Sequence, residues 1–361
     1  MSEVVKHKLL GKTPEELKAI AVECGLPSYA GGQIAQWLYK KKVKTIDEMT
    51  NLSKAGREKL SERYETGAVA YSDCQESVDG TKKYLFPVTC AFQGGLNRIE
   101  TAEPGKIESS IIEAVMIPEL DRKTLCVSSQ AGCKMGCRFC MTGRQGFHGN
   151  LSAADILSQF VSVDEAESLT GTVFMGMGEP LDNYDNVKRA IDVLTADWGF
   201  GWSPKRITLS SIGVLPTLKR YLDETRCHLA ISMHDAFPDE RGELMPVQKS
   251  YPLKDVVNLI RQYDFTGQRR VSFEYTMFSG HNDDKRHADV IIRLLSGLEC
   301  RVNLIRFHKI PDFPYVSSPE GVMEVFRDRL NKAGITSTIR ASRGEDIFAA
   351  CGMLAGKHKQ Q

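Results

Sequence analysis

From about residue 120 onward, short runs of β-branched and apolar residues alternate with amphipathic helical patterns. This alternation predicts parallel strands joined by right-handed helical crossovers. The predicted strands cover residues 124–128, 172–175, 206–210, 229–233, 271–276, 302–307 and 336–339. The predicted helices cover residues 153–168, 186–194, 253–263, 285–295 and 319–333. Six such units predict an α/β fold of the (β/α) barrel type, whose functional groups lie at the C-terminal ends of the strands.

The first hundred residues have a different pattern. Residues 1–65 are predicted to be helical, and Thr13-Pro14 followed by two glutamates is typical of a helix start. Residues 68–100 are predicted to be β-rich, with a hairpin turn at Asp79-Gly80. A polar stretch with Pro104-Gly105 follows. We therefore predict an accessory region over 1–100 and a core region over 101–361, with the barrel itself at about 119–345.

Composition excludes several classes of protein. Hydrophobic residues make up 42% of the 361 residues and charged residues 26%, as in ordinary globular proteins, so a disordered, collagen-like or coiled-coil chain is excluded. The sequence has no run of 18 apolar residues, and its N-terminus lacks the apolar segment of a secretory signal. We expect a cytoplasmic protein without a membrane span.

The formal net charge of +1 says nothing about nucleic acid, but the basic run that includes Lys40, Lys41, Lys42 and Lys44 is a local exception. Two interpretations remain open for this run. It is either the solvated end of a helix or a surface that contacts phosphate groups.

Three of the ten cysteines lie within eight residues: Cys133, Cys137 and Cys140 form a CxxxCxxC motif. Three thiolates on one short loop can hold three irons of a [4Fe–4S] cluster and leave the fourth iron open for chemistry. Gly132 and Gly136 would let the backbone wrap closely around the cluster. The alternatives are a zinc site or buried structural thiols. Zinc prefers four ligands, and no second CxxC or HxxxH motif lies nearby.

Longer motifs surround this triad. In chain order they are LLGKTPEEL, QIAQWLYKK, SVDGTKKYLF, LCVSSQAGCKMGCRFCMTGRQGF, GMGEPLDN, TLSSIGVLP, LAISMH and RASRGEDIFAACGMLAG. This series closely resembles the RlmN/Cfr family of radical S-adenosylmethionine (AdoMet) methyltransferases, which act on an RNA adenine, and it covers nearly the whole chain. The resemblance implies a partial (β/α)6 barrel with a smaller N-terminal accessory domain, helical plus β, that binds RNA.

The resemblance also implies the cofactors. One [4Fe–4S] cluster would be held by Cys133, Cys137 and Cys140, with AdoMet on its fourth iron, and two AdoMet molecules would be consumed per turnover. The positions that match AdoMet-contacting residues of the family are Gly178, Glu179, Ser210, Ser232, Met233, His234 and His308. His308 departs from the family pattern, which usually has Asn there, so an ordinary surface histidine stays open as its interpretation.

Two further cysteines and one glutamate receive roles through the resemblance. Cys351 would carry a methyl group as S-methylcysteine, and Cys126 would resolve the protein–RNA adduct, leaving a transient Cys126–Cys351 disulfide. Glu113 would accept a proton. From the residues alone, each thiol is more often a small buried packing residue, and the alternative for Glu113 is an outward-facing strand residue.

The implied partners are 23S rRNA, with tRNA open as a second substrate, and an external electron donor such as flavodoxin or ferredoxin. We expect a monomer. Methylation at C2 of the adenine is expected first, and Cfr-type methylation at C8 is the alternative, favoured by Ser211-Ile212-Gly213 and residues 302–306. A non-catalytic iron–sulfur RNA-binding protein is a third possibility, but it would need neither the two extra thiols nor the GMGEP loop.

Overall fold

The structure, a computed structural model, describes residues 6–91, 107–267 and 269–355. Its N-terminal part is mainly helical and contains β1 (His7–Lys8), α1 (Pro14–Glu23), α2 (Ala30–Ala35), α3 (Lys54–Arg63) and β2 (Tyr64–Glu65). A π-helical turn, Gln36–Lys40, extends α2, and β1 pairs with β2 in parallel. The predicted helix start is present, because Thr13 and Glu16 form a reciprocal capping box at α1.

The remainder contains the strands β3 (Asp73–Glu76), β4 (Lys82–Ala91), β5 (Ile107–Glu119), β6 (Arg122–Cys126), β7 (Gln130–Gly132), β8 (Phe147–Asn150), β9 (Gly171–Phe174), β10 (Ile207–Ser211), β11 (His228–Ser232), β12 (Val271–Met277), β13 (Arg301–Arg306) and β14 (Thr336–Ile339). Its helices are α4 (Met141–Arg144), α5 (Ala153–Ser162), α6 (Tyr184–Thr195), α7 (Leu215–Glu224), α8 (Pro238–Leu244), α9 (Leu253–Ile260), α10 (Lys285–Leu295) and α11 (Glu320–Lys332).

Ten of the described strands form one sheet in the order β14-β13-β12-β11-β10-β9-β6-β5-β4-β3. The strands β6 and β9–β14 are parallel to one another, whereas β5, β4 and β3 extend the sheet beyond β6 in antiparallel fashion. Helices separate successive parallel strands, so the predicted α/β fold with a (β/α)6 barrel is confirmed, and β14 adds a seventh parallel strand. Seven parallel strands bring seven C-terminal ends to one edge of the barrel, where the site is built.

Strand predictions agree with the structure to within two residues, but two helices end earlier than predicted. The helix predicted over 153–168 ends at Ser162, because Val163 is extended (φ −73°, ψ 154°). Its start is as predicted, with Ser152 and Asp155 in a capping box. The helix predicted over 253–263 is α9, which ends at Ile260.

The N-terminal helices pack on the barrel through polar contacts as well as a shared apolar core. Lys8 Nζ lies 2.5 Å from Asp155 Oδ1 at the start of α5, and Arg189 on α6 donates to Glu16 at 2.9 Å. Lys42 donates to the Ala166 carbonyl at 2.6 Å. The domain boundary predicted near residue 100 lies outside the described residues. Among the described residues, no helix combines the length and apolar character that crossing a membrane would require.

Candidate active site

The C-terminal ends of the parallel strands surround a cavity of about 640 Å³. Most residues predicted from the sequence line it: Cys133, Cys137, Cys140, Gly178, Glu179, Ser210, Ser232, His234, His308 and Cys351. They come from several different segments of the chain. The fold therefore gathers residues that are more than 200 positions apart in sequence around one space.

The three-cysteine loop begins in a small hairpin. Strands β7 and β8 pair with each other, and the Cys133 N–H donates to the Gly146 carbonyl at 2.8 Å. Gly132 has a φ of +72°, and a Cβ atom there would lie 2.0 Å from the Gly146 oxygen. Only glycine fits this position, and it turns the chain so that Cys133 enters the cavity.

Burial raises the pKa of the thiols of Cys133, Cys137 and Cys140, so free thiolates are unfavourable there. Negative charge on its neighbours also raises the pKa of Cys133, which places the three sulfurs near one another. Yet the triad is not among the groups of described residues whose ligand atoms all lie within 4.8 Å, the spacing that suits a single ion. The donor set therefore fits an iron–sulfur cluster better than one zinc ion.

The loop after β9 places Glu179 at the cavity wall. Its carboxylate accepts from the backbone N–H of Leu181 and of Ile212, each at 3.0 Å. Burial raises its pKa to about 7, although these hydrogen bonds act in the opposite direction. Gly178 has a φ of +98°, and a Cβ there would lie 2.5 Å from Gln130 Cβ, so glycine is required.

His234 follows β11 in a left-handed conformation, with a φ of +56°. Its Nδ1 accepts the Thr276 N–H at 3.1 Å, which leaves the proton on Nε2 as a donor. Burial lowers its pKa to about 3, so the ring stays neutral at physiological pH. A neutral donor at the cavity wall suits the recognition of a polar ligand atom.

The neighbouring Met233 does not line the cavity. Its side chain is fully buried, its N–H donates to the Glu274 carbonyl, and its carbonyl accepts from Arg241 Nε at 3.0 Å. The same guanidinium donates to the Ser232 carbonyl at 3.0 Å. The side chain of Met233 therefore packs in the core beneath the loop, and its contact with AdoMet stays a prediction.

His308 lies at the end of β13 and is buried in the cavity wall, so it is not an ordinary surface histidine. Its Nδ1 lies 3.3 Å from Glu345 Oε1. Ser210 lines the cavity from β10. Both positions are placed where a bound cofactor could reach them.

Cys126 and Glu113 lie on neighbouring antiparallel strands. In the register of the sheet, Cys126 is opposite Val115, which is opposite Lys83. Glu113 is two residues before Val115 and therefore on the same face of the sheet. It is 1% exposed, with its Oε2 3.9 Å from the buried Lys83 Nζ. The outward-facing interpretation of Glu113 is wrong.

Burial raises the pKa of Cys126 to about 12, and negative charge on Cys351 acts in the same direction. The second effect is an electrostatic interaction between two thiols that are 225 positions apart in sequence. Burial of the thiol also raises the pKa of Cys351, although the residue as a whole is accessible at the cavity wall. Both cysteines are free thiols in the structure.

The segment that carries Cys351 is fixed on two sides. On one side, Asp346 accepts from Ser77 Oγ at 2.5 Å, and Asp79 accepts from the Gly344 N–H at 3.1 Å, at the predicted β3–β4 hairpin. On the other side, Met141 N–H donates to the Gly352 carbonyl at 2.8 Å. The two sides hold Cys351 between the hairpin and the three-cysteine loop.

Sequence reasoning missed several buried polar residues that shape the site. Gln130 accepts from the Glu179 N–H at 2.9 Å and donates to Asp182 at 2.7 Å, which joins the cysteine loop to the β9 loop. Asn183 donates to the carbonyls of Ser129 and Leu151, both at 2.8 Å. Both residues lie inside the motifs quoted above, but their spacing gives no sign that their side chains connect neighbouring loops.

Comparisons with known proteins agree with this geometry. The family model described as "Radical SAM superfamily" matches residues 127–290, and the one described as "Ribosomal RNA large subunit methyltransferase N-terminal domain" matches residues 7–66. A Porphyromonas gingivalis protein named "Probable dual-specificity RNA methyltransferase RlmN" is 56% identical over 96% of each chain. The chain belongs to the RlmN family.

Other RlmN proteins show the same full-length agreement. One from Parabacteroides distasonis is 54% identical over 98% of this chain and 97% of its own. One from Syntrophus aciditrophicus is 40% identical over 95% and 94%. The crystal structure of a radical SAM methyltransferase from Sphaerobacter thermophilus is 34% identical, covers 97% of this chain and 99% of its own, and superposes with a TM-score of 0.87.

Proposed function

We propose that the chain methylates C2 of an adenosine in RNA, using AdoMet and a [4Fe–4S] cluster. The observation that carries this proposal is the placement of four cysteines around one cavity, together with a fifth cysteine, Cys126, on β6. Three form the cluster motif, Cys351 is fixed beside them, and Cys126 interacts electrostatically with Cys351. The names of the RlmN relatives support RNA as the substrate.

Cys133, Cys137 and Cys140 would hold the cluster, and Glu179, Ser210, Ser232, His234 and His308 would surround AdoMet. When bound, the cluster supplies the electron that cleaves AdoMet and generates the 5′-deoxyadenosyl radical. The chain positions the reactants. The neutral His234 offers an N–H donor and Glu179 offers carboxylate acceptors, the complementary partners for the polar groups of AdoMet.

Cys351 would accept a methyl group from a first AdoMet and present it to the adenine. Its segment is tied directly to the three-cysteine loop through Gly352 and Met141, which would hold the methyl carbon near the radical source. This route answers a chemical difficulty. An adenine ring carbon is a poor nucleophile, so direct transfer of an electrophilic methyl group would fail there.

After loss of one hydrogen atom, the S-methyl carbon of Cys351 would bond to C2 of the adenine, and the ring would give up its C2 hydrogen as a proton and return one electron to the donor system. Cys126 would then lose its thiol proton and attack the sulfur of Cys351. The sulfur–carbon bond would break as the disulfide forms, and the freed carbon would take up a proton and become the methyl group of the product. A thiol with a pKa of about 12 is almost fully protonated at neutral pH, so this step needs a base. Glu113 lies on the same face of the sheet, one strand away, and would act as the proton acceptor. The resulting disulfide must be reduced before the next turnover, and flavodoxin or ferredoxin would supply the electrons for cleavage of AdoMet.

RNA would reach the cavity through the opposite end of the barrel. There an opening of about 580 Å³ is lined by Arg122, Lys205, Arg206, Arg270, Arg301 and Arg340. The two spaces share wall residues, among them Thr124, Val173 and Glu274, so they adjoin inside the barrel. A ring of basic side chains suits the phosphate backbone next to an extruded base.

The lysines of the basic run at residues 40–44 differ in their contacts. Lys42 is engaged by the Ala166 carbonyl and Glu167, so its side chain serves packing of the accessory region. Lys40, Lys41 and Lys44 are exposed and remain candidates for phosphate contact. We propose that the protein is a cytoplasmic monomer that acts on 23S rRNA and tRNA. Residues 1–100 would form its RNA-binding accessory region.

The function is tested by mass spectrometry of nucleosides from a strain that lacks its own enzyme and carries this gene. We expect 2-methyladenosine in 23S rRNA and in tRNA. The C8 isomer would establish the alternative, Cfr-type product. A chain that releases neither 5′-deoxyadenosine nor S-adenosylhomocysteine with RNA present would instead be a binding protein.

A further inference from the structure

A second cluster of possible ligands lies outside the cysteine cavity. Asp235 follows the β11 loop, Glu240 is on α8 and His287 is on α10, and one ligand atom from each lies within 4.8 Å of the other two. Asp235 is 0% exposed and His287 is 2% exposed. Three separate segments thus bring two carboxylates and an imidazole to one mostly buried point.

The hydrogen bonds of His287 are incomplete without a cation or an added proton. Its Nδ1 lies 2.8 Å from Asp284 Oδ1, and its Nε2 lies 2.9 Å from Glu240 Oε2. A neutral ring that donates from Nδ1 to Asp284 points a lone pair on Nε2 toward a second carboxylate. A carboxylate that orients an imidazole through its far nitrogen is also the usual arrangement behind a metal-ligating histidine.

Asp235 gives an independent sign of a missing ligand. Its Oδ1 accepts the Phe237 N–H at 2.8 Å, but its fully buried Oδ2 has no hydrogen-bond partner among the described residues. His281 Nε2, also without one, lies 3.6 Å from that oxygen. A buried carboxylate oxygen left unpaired is costly, and a cation would compensate it.

We propose that Asp235, Glu240 and His287 form a divalent metal site and that its ion is Zn²⁺. Imidazole nitrogen with carboxylate oxygen favours zinc over calcium or magnesium, which prefer oxygen alone. Three protein ligands of this kind leave the fourth tetrahedral position to water. The ion would join the β11 loop to the starts of α8 and α10, directly behind His234 in the cavity wall.

This site is independent of the proposed function, because none of its ligands lines the cysteine cavity and it needs neither RNA nor AdoMet. The competing explanation is an imidazolium at His287 that bridges Glu240 and Asp284 without any metal. That arrangement predicts no zinc affinity. Metal binding therefore separates the two explanations.

The test uses the full chain with its iron–sulfur cluster assembled, stripped of loose metal and titrated with Zn²⁺ against a chromophoric chelator. Zinc X-ray absorption then identifies the ligands, since zinc held by stray cysteines would show sulfur at about 2.3 Å. We expect one equivalent of zinc with nitrogen and oxygen ligands only. Absence of such zinc would overturn the proposal.

Variants localise the site. Asp235→Asn keeps the size of the side chain and the acceptor for Phe237, and it should weaken zinc binding by more than about 100-fold, because even supporting residues behind metal ligands cost about 10–100-fold. Asp239→Asn, an exposed carboxylate beside Glu240, is the matched control and should change nothing. Equal affinities for Asp235→Asn and Asp239→Asn would contradict the assignment, provided that circular dichroism shows both folded.

Discussion

The backbone N–H of Met141 donates a hydrogen bond of 2.8 Å to the carbonyl of Gly352, and so ties the segment of Cys351 to the three-cysteine loop. Thr142 Oγ1 adds a second bond, to the Leu354 carbonyl, also at 2.8 Å. Two stretches that are about 210 positions apart are thereby held in register. Because the Gly352 bond joins backbone atoms, many side-chain changes around it would leave it intact.

Weakening the contacts between the Cys351 segment and the β3–β4 hairpin should impair catalysis without affecting the cluster. Asp346→Asn weakens the acceptor for Ser77 and Val78. We expect methylation to fall by about 10-fold or more, since small misplacements of reacting groups have effects of this size, while iron content stays unchanged. Asp197→Asn, an exposed carboxylate, is the control. Loss of iron in Asp346→Asn would show that the segment supports the cluster instead.

The cluster assignment predicts that Cys133→Ala, Cys137→Ala and Cys140→Ala each lose the [4Fe–4S] cluster, measured by iron content and visible absorption. Two thiolates cannot replace three on a loop of eight residues. Cys74→Ser, outside the motif, should retain it. A triad variant with a full cluster and full activity would refute the assignment.

The raised pKa of the buried Glu179 carboxyl predicts that the free energy of unfolding depends on pH. Its pKa is raised by burial from 4.5 to about 7, so between these values the folded state holds a proton that the unfolded state has released. Its contribution therefore lowers stability as pH rises from 4.5 to 7. Above pH 7, replacement by Gln removes a destabilisation of the folded state of about 3 kcal/mol, because each tenfold change in proton affinity corresponds to about 1.4 kcal/mol.

Urea unfolding of the cofactor-free chain at pH 5 and pH 8 measures this effect. We expect the stability of Glu179→Gln relative to the unmodified chain to increase from pH 5 to pH 8. Glu299→Gln, at an exposed site, should show no such change. A pH-independent difference for Glu179→Gln would mean that its carboxyl is ionised throughout.

The basic opening predicts a salt-dependent affinity for RNA. Replacing Arg206, Arg270 and Arg301 together by Gln should weaken RNA binding and reduce the slope of log affinity against log salt, by about one for each phosphate group that the variant no longer binds. Lys254→Gln, on the outer surface of α9, is the control for removal of a positive charge. An unchanged slope in the triple variant would place the RNA on another surface.

The barrel could be predicted from the sequence because its strands are short β-branched runs with amphipathic helices between them, and each signal is local. The strand β5 and the β7–β8 hairpin are harder to predict, since their pairing depends on partners elsewhere in the chain. The early end of α5 at Ser162 reflects an extended Val163, for which the pattern gives no warning.

Site residues could be predicted from the sequence alone only where their spacing itself indicates a set of ligands. The three-cysteine motif is such a case. By contrast, Cys126 and Cys351 are unremarkable thiols in the sequence, and only the family resemblance connects them there. In the structure, negative charge on Cys351 contributes to the raised pKa of Cys126. The side chain of Met233, a residue predicted from its motif, packs inward next to two cavity residues, and its contact with AdoMet stays a prediction. The Asp235–His287 cluster had no sequence signal, since its ligands come from separate loops and helices.

The central claim is that Cys351 carries the methyl group and Cys126 releases the product, and a comparison of their alanine variants tests it most directly. The reconstituted enzyme is incubated with AdoMet, reductant and RNA, and covalent protein–RNA species are measured by mass spectrometry before and after nuclease treatment. Cys227→Ala, at a buried cysteine outside the site, is the control and should release methylated RNA normally. Cys126→Ala should accumulate a nuclease-sensitive adduct, and Cys351→Ala should form neither adduct nor product. Normal turnover by Cys126→Ala without any trapped RNA would contradict the two-thiol account.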